Sequence, residues 1–147
     1  MDELGRDRPG QGQAHARQAV ADPAGVGPNG RGEGAEPGGL RAFLADHPAR
    51  RVSSALLRAE ALRAVRHLGS GTLAAIREGL RRVDLIGIDD RILDAAGILE
   101  PRILRTLDAI HLATALTLGD DLDAIVTYDD RMAEAARLLG LSTVRPG

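Results

Sequence analysis

The chain has 147 residues, no cysteine and a formal net charge of −2. That is one domain's worth of sequence, and it excludes disulfides, thiolate metal sites and a globally basic nucleic-acid binder. All 19 basic residues are arginine and Asn29 is the sole asparagine, as a GC-rich coding sequence would give.

Residues 1–39 hold 10 of the 18 glycines and 4 of the 7 prolines, with Leu4 as their one leucine. Such a stretch lacks the apolar surface to offset its ordering entropy. It reads as a disordered or aberrant Gly/Pro-rich segment, with a weak helical tendency over 11–21. No apolar run approaches the roughly 18 residues of a membrane span, and no signal-peptide segment opens the chain. The expected compartment is the cytoplasm, without membrane contact.

From Leu40 onward the texture changes, and residues 40–147 read as one domain. A short helix is expected over 40–46, stopped before His47-Pro48, then a strand over 51–54. Residues 55–68 form a strong helical pattern, with Leu56, Leu57, Ala61, Ala64, Val65 and Leu68 near the 3.6 period. Gly69-Ser70-Gly71 ends it. A second helix is expected over 72–83, with Thr72 as N-cap. Further on come a strand at 85–88, a helix from Asp89-Asp90 to Leu99, an Ala/Leu-rich helix at 107–118 and a turn at 119–121. A strand at 124–128, a helix at 130–139 closed by Gly140 and a strand at 142–145 complete the pattern. Strands alternating with helices imply a parallel sheet between helical layers.

Ile88-Asp89-Asp90-Arg91 and Tyr128-Asp129-Asp130-Arg131 repeat where a strand meets a helix. An aspartate there caps free N–H groups, so one of the two sites could be purely structural. Nucleophile, Walker and dinucleotide motifs are missing, and the four histidines do not fall into a zinc spacing. The remaining chemistry belongs to carboxylates. Asp129 sits at a strand's C-terminal end, where open parallel sheets gather functional groups. Asp108, opening a helix, can reach the same rim. Glu60 has two readings: a partnered or metal-holding glutamate amid Leu57 and Ala61, or a solvated one paired with Arg63 or Arg66. Converging carboxylates suit a hard divalent cation and phosphodiester hydrolysis. Arg58, Arg63, Arg66, Arg77, Arg81 and Arg82 form a candidate RNA contact or a solvated helical face.

The stretch from Leu104 through Asp108, His111 and Ala113 to Ala115 resembles the L-x-x-x-D-x-x-H-x-A-x-A core of PIN-domain ribonucleases of the VapC toxin type. Val126-Thr127-Tyr128-Asp129-Asp130-Arg131 with Leu139-Gly140-Leu141 resembles their terminal strand–helix unit. Ser53-Ser54-Ala55-Leu56-Leu57-Arg58-Ala59-Glu60 resembles the segment with their second acidic residue. The ordered set covers residues 40–147. It implies an α/β/α sandwich with a parallel sheet and Mg²⁺- or Mn²⁺-dependent endoribonuclease activity in a toxin–antitoxin pair. Glu60, Asp108 and Asp129 match three of four acidic positions, as catalytic and metal residues. Thr127 matches a polar neighbour, and Asp130 stands in for Asp129 if the register slips. The resemblance also implies an RNA substrate, a homodimer and a cognate antitoxin. His111 reads as a packed, hydrogen-bonded residue rather than a ligand, and Ala109, Ala113 and Ala115 as allowing close helix packing.

Members of this family begin with a hydrophobic strand, central in the sheet and ending in an aspartate. Nothing in residues 1–39 fits that description. Asp22, after Ala19-Val20-Ala21, comes closest, but Pro23 follows. The expectation is a PIN-like domain without its first, central strand, its N-terminal stretch drawn from a wrong reading frame or degraded gene start, and its activity impaired. The alternative is a catalytically inactive PIN-like module that binds an antitoxin or other protein.

Overall fold

The structure, a computed structural model, describes residues 17–20 and 49–146. Their elements are β1 (Arg17–Val20), β2 (Arg50–Ser54), α1 (Leu56–Val65), α2 (Ser70–Leu80), β3 (Asp84–Ile86), α3 (Asp90–Gly97), α4 (Thr106–Leu116), a 3₁₀ turn (Gly119–Asp121), β4 (Leu122–Val126), α5 (Asp130–Leu138) and β5 (Thr143–Val144). All strands run parallel in the order β3-β2-β1-β4-β5. The architecture is an α/β/α sandwich, as expected. The helix expected at 40–46 and the candidate Asp22 lie outside the described residues.

One expectation is overturned. The sheet does have a middle strand, and residues 1–39 supply it. β1 pairs with β2 through Ala19 and Val52 and with β4 through Ala19 and Ile125. The same four residues replace the helical tendency expected there. A central strand is held by backbone hydrogen bonds on both edges, and those are blind to side chains. Ala19 and Val20, which the sequence offers as the end of a very short strand before Pro23, are extended by Arg17 and Gln18 into a four-residue strand. Its polar residues leave a mark: Gln18 is buried, and its Oε1 has no hydrogen-bond partner among the described residues. An unsatisfied buried carbonyl costs about 1–3 kcal/mol, and a β-branched side chain suits a central strand. Gln18→Val should therefore stabilise the protein by about 1 kcal/mol, read as a higher urea midpoint at unchanged m-value.

The core centres on α4. Its residues Ala109–Ala115 are all buried, so it is not a half-wetted amphipathic helix but one covered nearly all round. Leu112 and Ala115 pack with Ala19, Ile125, Met132, Ala135 and Ala136. Ala109, Ile110 and Ala113 pack with Ile92 and Ala96 of α3. The alanines let backbones approach, as their spacing suggested. The Ile125 and Ala19 side of the sheet thus faces α4 and α5. The other side carries Gln18, Val20, Ala124 and Val126, paired in register and also buried.

Element ends moved slightly from the sequence reading. The second helix opens at Ser70, not Thr72, because Gly69 takes φ +90° and turns the chain there. Thr72 instead donates its hydroxyl to the Leu68 carbonyl at 3.3 Å. Gly140, at φ +77°, ends α5, with Leu141 N–H reaching back to Ala136 O at 2.9 Å.

Candidate active site

The C-terminal rim of β4 feeds directly into α5, and Asp129 occupies the N-cap between them. Its Oδ1 accepts from the Arg131 and Met132 N–H groups at 2.8 and 3.0 Å. Its own N–H donates to Oγ1 of buried Thr127 at 3.1 Å. The carboxylate is thus held by the first backbone N–H groups of α5, and the Asp129 main chain by Thr127. Its second oxygen, Oδ2, lies 3.6 Å from the Arg131 guanidinium.

Asp108 sits in the first turn of α4, where the helix dipole favours a negative charge. Burial pushes its carboxyl above the ordinary value of 3.8, and the charge of Asp129 pushes it further; Arg105, His111 and Arg131 pull the other way. Two carboxylates close enough to repel, flanked by two guanidiniums, make a polarised pocket of this rim. Asp130 takes no part in it. Its side chain is 85% exposed and bridges outward to Arg145, so the register places Asp129, not Asp130, opposite Asp108.

Glu60 lies on α1 between buried Leu57 and Ala61, on the inward stripe of the helix. It does not pair with Arg63 or Arg66. Its Oε2 accepts from His111 Nε2 at 2.7 Å, which ties α1 to α4. His111 is buried, and its other ring nitrogen meets Ser54 Oγ at 3.0 Å. The packed, hydrogen-bonded reading of His111 therefore describes its surroundings.

Of the three carboxylates read from the sequence, Asp108 feels the charge of Asp129, and Glu60 connects to the Asp108 helix through His111. Among the described residues, no group of three or more His, Asp or Glu is placed to hold one metal ion together. The donor chemistry of the Asp108–Asp129 pair nonetheless fits a hard dication, because a positive charge would relieve the repulsion that raises Asp108.

Sequence reasoning missed Arg105 and Arg131. Each stands within three residues of an acidic site residue at a helix N-terminus, and that adjacency was the available signal. The six-arginine group chosen instead is exposed throughout. Arg81 and Arg82 lie against Glu78 at 3.2 and 3.9 Å on the surface of that region.

The repeated Asp-Asp-Arg unit divides as its capping role allows. Asp89 Oδ1 accepts from Ile92 N–H at 3.0 Å and caps α3, and Asp108 carries no influence from it. Asp89→Ala should cost about 1 kcal/mol of stability with turnover per folded molecule unchanged. Chemical denaturation and an RNA cleavage assay on the same sample would check both halves.

The family model described as PIN domain matches residues 36–138. The chain belongs to the PIN-domain family. The matched PIN stretch contains Glu60, Asp108 and Asp129, while β1 precedes it. Among PIN-domain relatives, the chain is similar to Ribonuclease VapC46 of Mycobacterium tuberculosis (strain ATCC 25618 / H37Rv), 53% identical over 108 residues, which is 73% of this chain and 82% of that protein. It is similar to Ribonuclease VapC35 of the same strain, 45% identical over 98 residues, 65% of this chain and 73% of that one. Ribonuclease VapC47 of Mycobacterium tuberculosis (strain CDC 1551 / Oshkosh) is 36% identical over 97 residues, 65% of this chain and 71% of that one. No solved structure matches the chain significantly. The family is the one that residues 104–115 and 126–141 resembled. No helix among the described residues is long and apolar enough to cross a membrane.

Proposed function

We propose that this chain is the toxin of a toxin–antitoxin pair, an endoribonuclease that hydrolyses RNA phosphodiester bonds with Mg²⁺ or Mn²⁺. The observation that carries the reading is the Asp108–Asp129 pair, repelling and flanked by Arg105 and Arg131, in a PIN domain whose relatives are named ribonucleases. Asp108 and Asp129 would hold the ion, with Glu60 as a third carboxylate on the same side of α4. A fourth carboxylate is not assigned: Asp22, the closest candidate in the sequence, lies outside the described residues. A bound dication supplies positive charge for the scissile phosphate and for activating water. Arg105 and Arg131 would meet the non-bridging phosphate oxygens, where guanidinium geometry is well suited.

The remaining assignments belong to the same proposal. The cognate antitoxin would cover the acidic rim, the working form would be a homodimer, and the compartment would be the cytoplasm.

Purified protein incubated with RNA and Mg²⁺ should cleave it, and chelation should stop the reaction. Cleavage that survives chelation would overturn the metal requirement. Absence of both cleavage and Mn²⁺ binding would favour the catalytically inactive module that engages an antitoxin or other protein.

A further inference from the structure

Ser54, His111 and Glu60 form a line of side chains drawn from β2, α4 and α1. Ser54 is 1% exposed and His111 is 5% exposed, so the first two members are locked inside the core. Glu60 is the member that meets solvent, its side chain 36% exposed. The hydrogen bonds read in one direction. A carboxylate only accepts, so Nε2 of His111 carries a proton and donates it to Glu60 Oε2 at 2.7 Å. In the neutral ring Nδ1 is then an acceptor, and the Ser54 hydroxyl donates to it at 3.0 Å. Among the described residues Glu60 makes no other hydrogen bond or ion pair. Its Oε1 has no partner among the described residues.

This arrangement is more than packing. A core histidine satisfied by backbone would fill the same space without reaching across to another helix. Here the ring turns its Nε2 to the one carboxylate of α1, which fixes a proton on that nitrogen, and a buried serine holds the other ring nitrogen. We propose that His111 is a positioning residue for Glu60, with Ser54 anchoring the far side of its ring, so that one carboxylate oxygen is pinned and the other is left for the site. The inference rests on the reading of Glu60 as a site residue. Neighbours that orient a ligating or reacting group contribute to its affinity and geometry without touching the ligand.

The test is a double-mutant cycle with His111→Gln and Glu60→Gln, read on both kcat for RNA cleavage and Mn²⁺ affinity. His111→Gln alone should lower both by about 10- to 100-fold. In the Glu60→Gln background the same change should cost less than about twofold, because a residue acting through Glu60 has nothing left to position. Ser54→Ala, a small change that spares the ring, should give a weaker loss with the same dependence on Glu60, and serves if His111→Gln does not fold. Imidazole ¹⁵N resonances of the parent should show the Nε2–H tautomer, shifting in Ser54→Ala. Equal costs in both backgrounds, or an Nδ1–H tautomer in the parent, would overturn the positioning role. Ring nitrogens as expected, with Glu60→Gln leaving cleavage and Mn²⁺ binding intact, would instead overturn the place of Glu60 in the site.

Discussion

Asp108→Asn should reduce RNA cleavage by about 10²- to 10⁴-fold, the range associated with losing a positioned ionisable group at a reacting centre. Asparagine keeps the shape and one acceptor oxygen but removes the charge on which both the cation and the flanking arginines depend. The same substitution should make the protein more stable at neutral pH. In the folded state the Asp108 carboxyl is raised above its ordinary 3.8, by burial first and Asp129 second. The folded protein therefore holds that proton more tightly than the unfolded chain does. The stabilising contribution is fully present below the unfolded value and is lost as pH rises through the folded one. Above the folded value the parent bears the full disadvantage of a charged Asp108, and Asn removes it. Melting curves of parent and variant should differ most near neutrality and converge as pH falls toward 3.8. Equal stability at all pH values, or cleavage within a few-fold of the parent, would remove Asp108 from its assigned place.

Leu112→Ala should produce the largest loss of stability among single core changes, about 3 kcal/mol within a range of roughly 2–5. Leu112 is 0% exposed and stands in the cluster with Ala19, Ile125 and Met132. Four of the six other buried residues of that cluster are alanines, which cannot swing inward to fill the space that a truncated leucine leaves. Domains of this size are stable by about 5–15 kcal/mol in all, so the loss is a large share of the total. Denaturant unfolding would show a lower midpoint with little change of slope. Cleavage per folded molecule should fall as well, because α4 carries Asp108 and His111 on the same backbone.

How much of this was legible beforehand follows from where each signal resides. α4 was clear from its own run of alanines and leucines, and Asp108 and His111 from their three-residue spacing within it. Strand ends slid by a residue or two: β4 spans Leu122–Val126 where 124–128 was read, because short apolar runs do not state which residue first finds a partner. Glu60 was half legible. The apolar neighbours flagged it, but local arginines offered an equally good partner, and the actual one lies 51 residues away on another helix. β1 was barely legible: Ala19 and Val20 stood out as the nearest approach to a strand, but too short a one. The sheet's middle place demands backbone pairing more than any side chain, and Arg17 and Gln18 disguise it.

Parallel order places β1 between two strands of very different age. β2 begins some thirty residues after β1, whereas β4 begins more than a hundred residues after it. On a ribosome adding about 5–20 residues per second, the first strand to emerge waits several seconds longer for its second partner than for its first. Throughout that interval its free edge is open to any other extended chain. Charged and polar side chains make a strand a poorer template for such pairing, so Arg17 and Gln18, which burden the finished sheet, suit the nascent one better than aliphatic residues would.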